Sequence, residues 1–141
     1  MRQVILTQGR PEDLGNLARH MTDLMQRILH SGFCPGSKRP DWTPSIDVCE
    51  AGSHYEVIVE LAGVRTEDIQ VYMEAGRLVI CGVRGDPMPG AKVGLLQMEI
   101  ERGTFRRHVH LPADIDEERV EATFRDGLLR IRVSKRSAAD P

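Results

Sequence analysis

The sequence predicts an all-β protein: an antiparallel, immunoglobulin-like β-sandwich of about seven or eight short strands, preceded by one amphipathic helix. Three observations predict it. From Trp42 to Val133 apolar and polar residues alternate along short runs, the period of a half-buried strand. Turn signals built on Gly, Asp and Pro punctuate that pattern about every ten residues, the rhythm of short antiparallel strands. Aromatics make up only 4% of the 141 residues, so Val, Ile and Leu must fill the interior.

Residues 1–40 read as an N-terminal arm. Within it, residues 11–30 carry a helical pattern. Pro11 suits the first helical position, and Glu12 and Asp13 place negative charge in the first turn. Leu14, Leu17, Met21, Leu24, Met25 and Ile28 then recur at spacings of three and four, one apolar stripe on an amphipathic helix. Ser31-Gly-Phe-Cys-Pro-Gly-Ser-Lys-Arg-Pro40 follows as a Gly/Pro linker.

Residues 41–135 carry the strands. Ser45–Cys49 is a short strand and Ala51-Gly-Ser53 a turn. The next strand, His54–Leu61, sets Tyr55, Val57, Val59 and Leu61 on one face. Ala62–Asp68 is a polar connection with room for one helical turn. Ile69, Val71 and Met73 alternate with polar neighbours and Tyr72, and Ala75-Gly76 turns the chain into the strand Arg77–Val83. The two prolines of Gly85–Gly90 keep that stretch out of any central strand. Leu95–Leu111 reads as a long strand region interrupted near Gly103. A final hairpin spans residues 119–133 around Asp126-Gly127, a pair that tolerates the positive φ of a tight turn. Leu129, Ile131 and Val133 share one face of its second strand. Residues 136–141 form a short polar tail.

Composition narrows the function. A formal charge of −2 offers no broad basic footprint for nucleic acid or for an anionic membrane. No apolar run approaches the roughly 18 residues that span a bilayer, and the first residues are too short an apolar stretch for a secretory signal. A cytoplasmic protein is expected. Cys34, Cys49 and Cys81 are odd in number and widely spaced, which argues for reduced thiols and against a disulfide framework or a zinc site.

Catalytic constellations are missing from the sequence. It has neither a Gly-Lys-Ser phosphate loop nor a Gly-x-Ser-x-Gly elbow, so no enzyme activity and no cofactor is expected. His108 and His110 share one strand face, but no third ligand stands nearby and Arg106 and Arg107 repel a cation. Asp114, Asp116, Glu117 and Glu118 lack the spacing of a calcium loop.

The order of motifs carries the strongest signal. Gly103-Thr-Phe105-Arg-Arg107 leads to Leu111-Pro112, then an acidic spacer, then Ala122-Thr-Phe-Arg-Asp-Gly127-Leu-Leu129. Earlier, Trp42-Thr-Pro-Ser-Ile-Asp-Val precedes Val59-Glu-Leu-Ala-Gly-Val64 and Leu78-Val-Ile-Cys-Gly82. Over residues 42–135 this series resembles the α-crystallin domain of small heat shock proteins of the bacterial type, with Ala62 where that family usually has Pro. The resemblance implies an ATP-independent holdase that binds exposed apolar segments of unfolding proteins and passes them to ATP-dependent chaperones. The alternative on the same fold is a p23-like co-chaperone or adaptor that recruits one defined partner.

The resemblance also implies sites. Arg107 matches the family arginine that supports the dimer, and Val93, Leu95 and Leu96 lie in the loop whose strand crosses to the partner subunit. The arm residues would join subunits and offer apolar surface to clients; Met21 and Met25 are adaptable there. Ala122, Gly127 and Leu129 form the structural hairpin motif. Ile69, Val71 and Met73 with Val120 and Ala122 would line the groove that receives a C-terminal Ile-x-Ile tail from a neighbour. This chain ends in Ser-Ala-Ala-Asp-Pro141 without Ile-x-Ile. Either the groove stands open and assemblies shrink towards dimers, or residues 2–6, Arg-Gln-Val-Ile-Leu, fill it by strand addition.

Overall fold

The computed structural model describes residues 2–7, 39–88 and 94–137. Nine strands and one 3₁₀ turn account for nearly all the regular structure among them. β1 (Arg2–Val4) and β2 (Leu6–Thr7) come from the N-terminus. β3 (Ile46–Ala51), β4 (His54–Glu60), the 3₁₀ turn Thr66–Asp68, β5 (Ile69–Glu74), β6 (Arg77–Arg84), β7 (Gly103–His110), β8 (Ile115–Arg125) and β9 (Leu128–Lys135) follow. One sheet has the order β1-β5-β6-β7, the other β2-β8-β9-β4-β3. Every pairing is antiparallel except β2 with β8, which is parallel.

Period-two alternation builds the interior. Tyr55, Val57 and Val59 of β4, with Leu61 beyond it, meet Ile69, Val71 and Met73 of β5, Leu78 and Ile80 of β6, and Leu129, Ile131 and Val133 of β9 in one buried cluster. Inverting the register of any of these strands by one residue would swap its core set for its solvent set. Trp42 and Phe105 close one end, ring centroids 5.3 Å apart.

Two hairpins turn through adjacent positive φ angles, as the tight I′ turn requires. They are Ala75-Gly76 (φ 49 and 76) and Asp126-Gly127 (φ 53 and 77). At Gly127 the need for glycine is double. A Cβ there would lie 3.1 Å from Ala62 Cα and 3.3 Å from Ala62 Cβ, and the Gly127 carbonyl accepts from the Leu61 N–H at 2.8 Å. The last hairpin therefore locks onto the end of β4.

Two expectations are corrected. β7 begins only at Gly103, and residues 94–102 form no strand; the segment from Leu95 keeps its apolar side chains in solvent rather than in a ladder. Cys81 is disulfide-bonded, so three reduced thiols is not the state of the chain; Cys49 on β3 is free and exposed. The expected helix over residues 11–30, with Leu14, Leu17, Met21, Leu24, Met25 and Ile28, lies outside the described residues, as do Cys34 and Val93.

Candidate functional site: a filled groove and an open loop

The sandwich has two flanks. At one, β5 and β8 are the last strands of the main sheets, and their free edges face each other across a groove. Ile69, Val71 and Met73 are fully or almost fully buried at its floor, Ala122 is 2% exposed, and Val120 is partly buried against the same core. The sequence thus brings the five expected groove residues together from two strands almost fifty residues apart.

That groove is filled by the chain's own N-terminus. Arg2, Gln3 and Val4 pair with Met73, Tyr72 and Val71. One residue on, the segment changes sheets, and Leu6 and Thr7 pair with Ala122 and Thr123. Val4 (5% exposed) and Leu6 (2%) enter the core while Ile5 between them is 43% exposed. An apolar-x-apolar spacing is what an extended strand needs to send two side chains inward. Ala122 stands between Leu6 on β2 and Ile131 on β9, where a small side chain lets the added strand come close. Of the two readings of the groove, strand addition by residues 2–6 is the one this structure adopts.

The fit is incomplete on the β8 side. Where the segment leaves β8 for β5, a cleft of about 380 Å³ opens between Gln3–Ile5 and Val120–Thr123, with Glu117 and Glu121 at its rim. Glu117 is engaged: its carboxylate accepts from the Gly76 N–H at 2.7 Å. The Gln3 side-chain nitrogen is buried without a hydrogen-bond partner.

On the outer face of β5 and β6, Tyr72, Val79 and Cys81 form a second buried cluster. The Tyr72 hydroxyl donates to Gln70 Oε1 at 2.5 Å, and burial pushes its phenol up to about 12.

The opposite flank is built differently. β7 and β3 are the edge strands there, and residues 41–46 run between them. Trp42 bridges to Phe105, its indole N–H donates to the Gly103 carbonyl at 3.0 Å, and the Asp41 carboxylate accepts from the Thr104 N–H at 2.9 Å. Arg107 donates to the Pro44 carbonyl at 3.2 Å and is half-buried. It fastens residues 41–46 to β7 rather than lying loose on a strand face.

The connection between β6 and β7 emerges beside Trp42. Arg84 stacks 3.9 Å above the Trp42 ring and donates to the Glu101 carbonyl at 2.7 Å and the Ala62 carbonyl at 3.1 Å. Arg102 pairs with Asp86 at 3.0 Å. The loop is pinned at its base, and its apolar side chains are out in solvent: Leu95 53%, Leu96 101%, Met98 57% and Ile100 59% exposed. Arg84 and Arg102 were not singled out from the sequence, because two arginines flanking a Pro/Gly-rich stretch look like ordinary surface charge until Trp42 and Asp86 are placed beside them.

His108 has its pKa lowered by burial and by Arg77 and Arg106, which favours the neutral imidazole. Among the described residues no group of three potential ligands could hold a metal ion, and no helix is long and apolar enough to cross a membrane.

Comparison with known proteins supplies a relationship. Residues 47–141 match the Hsp20/alpha crystallin family. Heat shock protein 16 of Schizosaccharomyces pombe is 40% identical over 95 residues, covering 66% of each chain. Small heat shock protein C4 of Rickettsia felis is 33% identical over 94 residues, 67% of this chain and 58% of that one. The match therefore spans less than two thirds of either relative. Among solved structures, the Schizosaccharomyces pombe heat shock protein 16.0 has a TM-score of 0.64 at 35% identity, covering 71% of this chain and 93% of that one. A small heat shock protein from Xylella fastidiosa, described as having a distinct high order structure, has a TM-score of 0.65 at 30% identity, covering 72% and 93%.

Proposed function

This chain belongs to the Hsp20/alpha crystallin family, and we propose that it is an ATP-independent holdase of the cytoplasm. In this reading it binds exposed apolar segments of unfolding proteins and keeps them soluble until ATP-dependent chaperones refold them. The observation that carries the proposal is the loop of residues 94–102, where Leu95, Leu96, Met98 and Ile100 are each more than half exposed above a base pinned by Arg84 and Arg102. Apolar side chains held in water by a built support mark a contact surface rather than leftover hydrophobicity. Apolar contact is non-directional, which suits a partner set as broad as non-native proteins.

The same flank is the proposed homodimer surface. Leu95 and Leu96, continuing Val93, would cross to the partner subunit, with Arg107 holding residues 41–46 in the shape that receives them. The arm residues Leu14, Leu17, Met21, Leu24, Met25 and Ile28 would extend the assembly and add client surface. In the groove, client segments that took the place of residues 2–7 would meet Ile69, Val71, Met73, Val120 and Ala122.

Heating an unrelated aggregation-prone enzyme with and without this protein tests the proposal. A holdase abolishes the light-scattering increase at a small molar excess without nucleotide. Unchanged aggregation at excess protein would remove the holdase reading and leave the p23-like adaptor, which needs one defined partner.

A further inference from the structure

We infer that Arg84 is a positioning residue for association with a second copy of this chain. From the mouth of the β6–β7 connection it sets the direction in which residues 94–102 hold out their apolar side chains, without itself forming the contact. The inference rests on the loop's proposed role as contact surface, and names the residue that determines how well that surface works.

The mouth of the connection is a single cross-strand pair, Arg84 on β6 with Gly103 on β7. From there the Arg84 guanidinium meets three separate segments. It lies 3.9 Å above the Trp42 ring. Its Nε donates to the Glu101 carbonyl at 2.7 Å, and its Nη1 to the Ala62 carbonyl at 3.1 Å. Two of these three partners belong to the frame of the sandwich. Trp42 is 5% exposed and packs on Phe105. Ala62 follows Leu61, whose N–H donates to the Gly127 carbonyl at 2.8 Å. The third partner, Glu101, belongs to the loop, so one side chain ties loop to frame.

The exit of the loop is fixed too. Gly103 has a φ of 101, and a Cβ there would lie 2.3 Å from Asp41 Oδ2, which accepts from the Thr104 N–H at 2.9 Å. β7 therefore starts from a set point, and the freedom of the loop begins at Arg102. Arg84 acts one residue further on.

Beyond that point residues 94–102 join no strand, and Leu95, Leu96, Met98 and Ile100 are each more than half exposed. The Arg102–Asp86 pair crosses the mouth in the opposite direction at 3.0 Å, but the Asp86 side chain is 56% exposed, and an ion pair open to water holds weakly. The Arg84 bonds are charge-assisted and joined to a ring contact, which makes Arg84 the stronger tie.

Lysine cannot take this place. An ammonium can sit over the ring as a point charge, but only a planar fork lays its face on the ring and directs its edge to two carbonyls. Side chains already held in their bound arrangement lose less freedom on association. Loosening the tie at Glu101 should therefore weaken association although every contacting side chain is intact.

Sedimentation velocity over a dilution series of the full chain tests this. The proteins are the unmodified chain, Arg84→Lys, Leu95→Ser/Leu96→Ser and the three changes combined. Arg84→Lys should raise the self-dissociation constant at least about tenfold. The combined variant should match Leu95→Ser/Leu96→Ser, because a residue that acts through the loop then has nothing left to position. Trp42 is the single tryptophan of the chain. Its emission should shift in Arg84→Lys even where both proteins are fully dissociated, which marks loss of the stack rather than of the partner. Asp86→Asn should change dissociation by no more than about twofold. Hydrogen exchange in β4 and β9 establishes that each variant is folded, and Arg84→Met, which keeps an apolar stem over the ring and removes both donors, replaces Arg84→Lys if that variant is not.

Unchanged dissociation on altering Arg84, beside a weakened Leu95→Ser/Leu96→Ser, would overturn the inference and leave the loop surface standing. So would a full further loss in the combined variant, an unshifted Trp42 emission, or an equal loss from Asp86→Asn. Unchanged association of Leu95→Ser/Leu96→Ser would remove the loop surface itself, and the inference with it.

Discussion

The two flanks of the sandwich treat the same problem in opposite ways. Both end in edge strands, and an edge strand invites another chain. At β5 and β8 the protein spends its own first residues: Val4 and Leu6 are almost wholly buried, and the backbone adds a strand to each sheet. At β7 and β3 none of the described residues adds a strand. Residues 41–46 brace the edge through Trp42 and Arg107, and the adjacent loop leaves Leu96 fully in water. The difference teaches where a partner is to be sought. The closed flank contributes to the fold of the single chain. The loop flank has contact surface to offer without any rearrangement.

Substitution at the closed flank should have the largest effect on stability. Leu6→Ala removes a side chain that is 2% exposed and should cost about 2 kcal/mol, by transfer loss and the cavity left behind. Ile5→Ala, one residue away but pointing outward, should stay within about 0.5 kcal/mol. Urea denaturation of both variants measures the contrast, and equal effects would mean that the segment is not docked.

Alkali probes the same flank from its outer face. Burial holds the Tyr72 phenol up to about 12, above its ordinary value of 10. The neutral form therefore favours the fold. Stability from this group is intact below pH 10 and falls as pH rises towards 12, by roughly 2–3 kcal/mol for a shift of about two units. Tyr72→Phe should flatten that part of the profile. It should also lose roughly 1 kcal/mol at neutral pH with the bond to Gln70. Tyr55, raised by burial and by its hydrogen bond to Asp114, will leave some slope in place. Stability followed by circular dichroism between pH 8 and 12 reads both variants.

A change in the turn between β8 and β9 serves as the control. Gly127→Ala meets a φ of 77 and the Ala62 backbone 3.1 Å away, and should cost about 1 kcal/mol. It should lower the melting temperature without altering the contrast between Leu6→Ala and Ile5→Ala.

Leu96→Ser should have the smallest effect on the single chain, within about 0.5 kcal/mol, because its side chain is already in water. Its effect should appear in association instead, as weaker self-assembly at equal concentration.

Most of the sandwich was legible because period-two patterning and turn chemistry agree. Tyr55, Val57, Val59 and Leu61 could belong to one face only, and Asp126-Gly127 could hardly be anything but a tight turn. The loop was harder. Leu95 and Leu96 read as strand from their neighbours, but residues 94–102 have no ladder to join within one chain. The groove residues were legible as two apolar faces; what fills the groove was not decided by pattern. Arg-Gln-Val-Ile-Leu has the alternation of a strand, but five residues cannot declare which edge they join. The roles of Arg84 and Arg107 were hidden for another reason. Their partners, the Trp42 ring and the Pro44 carbonyl, are set by the path of residues 41–46 over β7, which no local pattern records. The state of Cys81 was misjudged because counting cysteines says nothing about which two meet.

Solution mass tests the contrast between flanks most directly. Multi-angle light scattering would be run on the unmodified full chain, on Leu95→Ser/Leu96→Ser and on Val4→Asp/Leu6→Asp at one concentration. The account predicts that the loop variant falls to a smaller species while the plug variant keeps at least the dimer. A plug variant that falls to monomer beside a loop variant of unchanged mass would contradict it, because the flank read as closed would then be the one that joins copies.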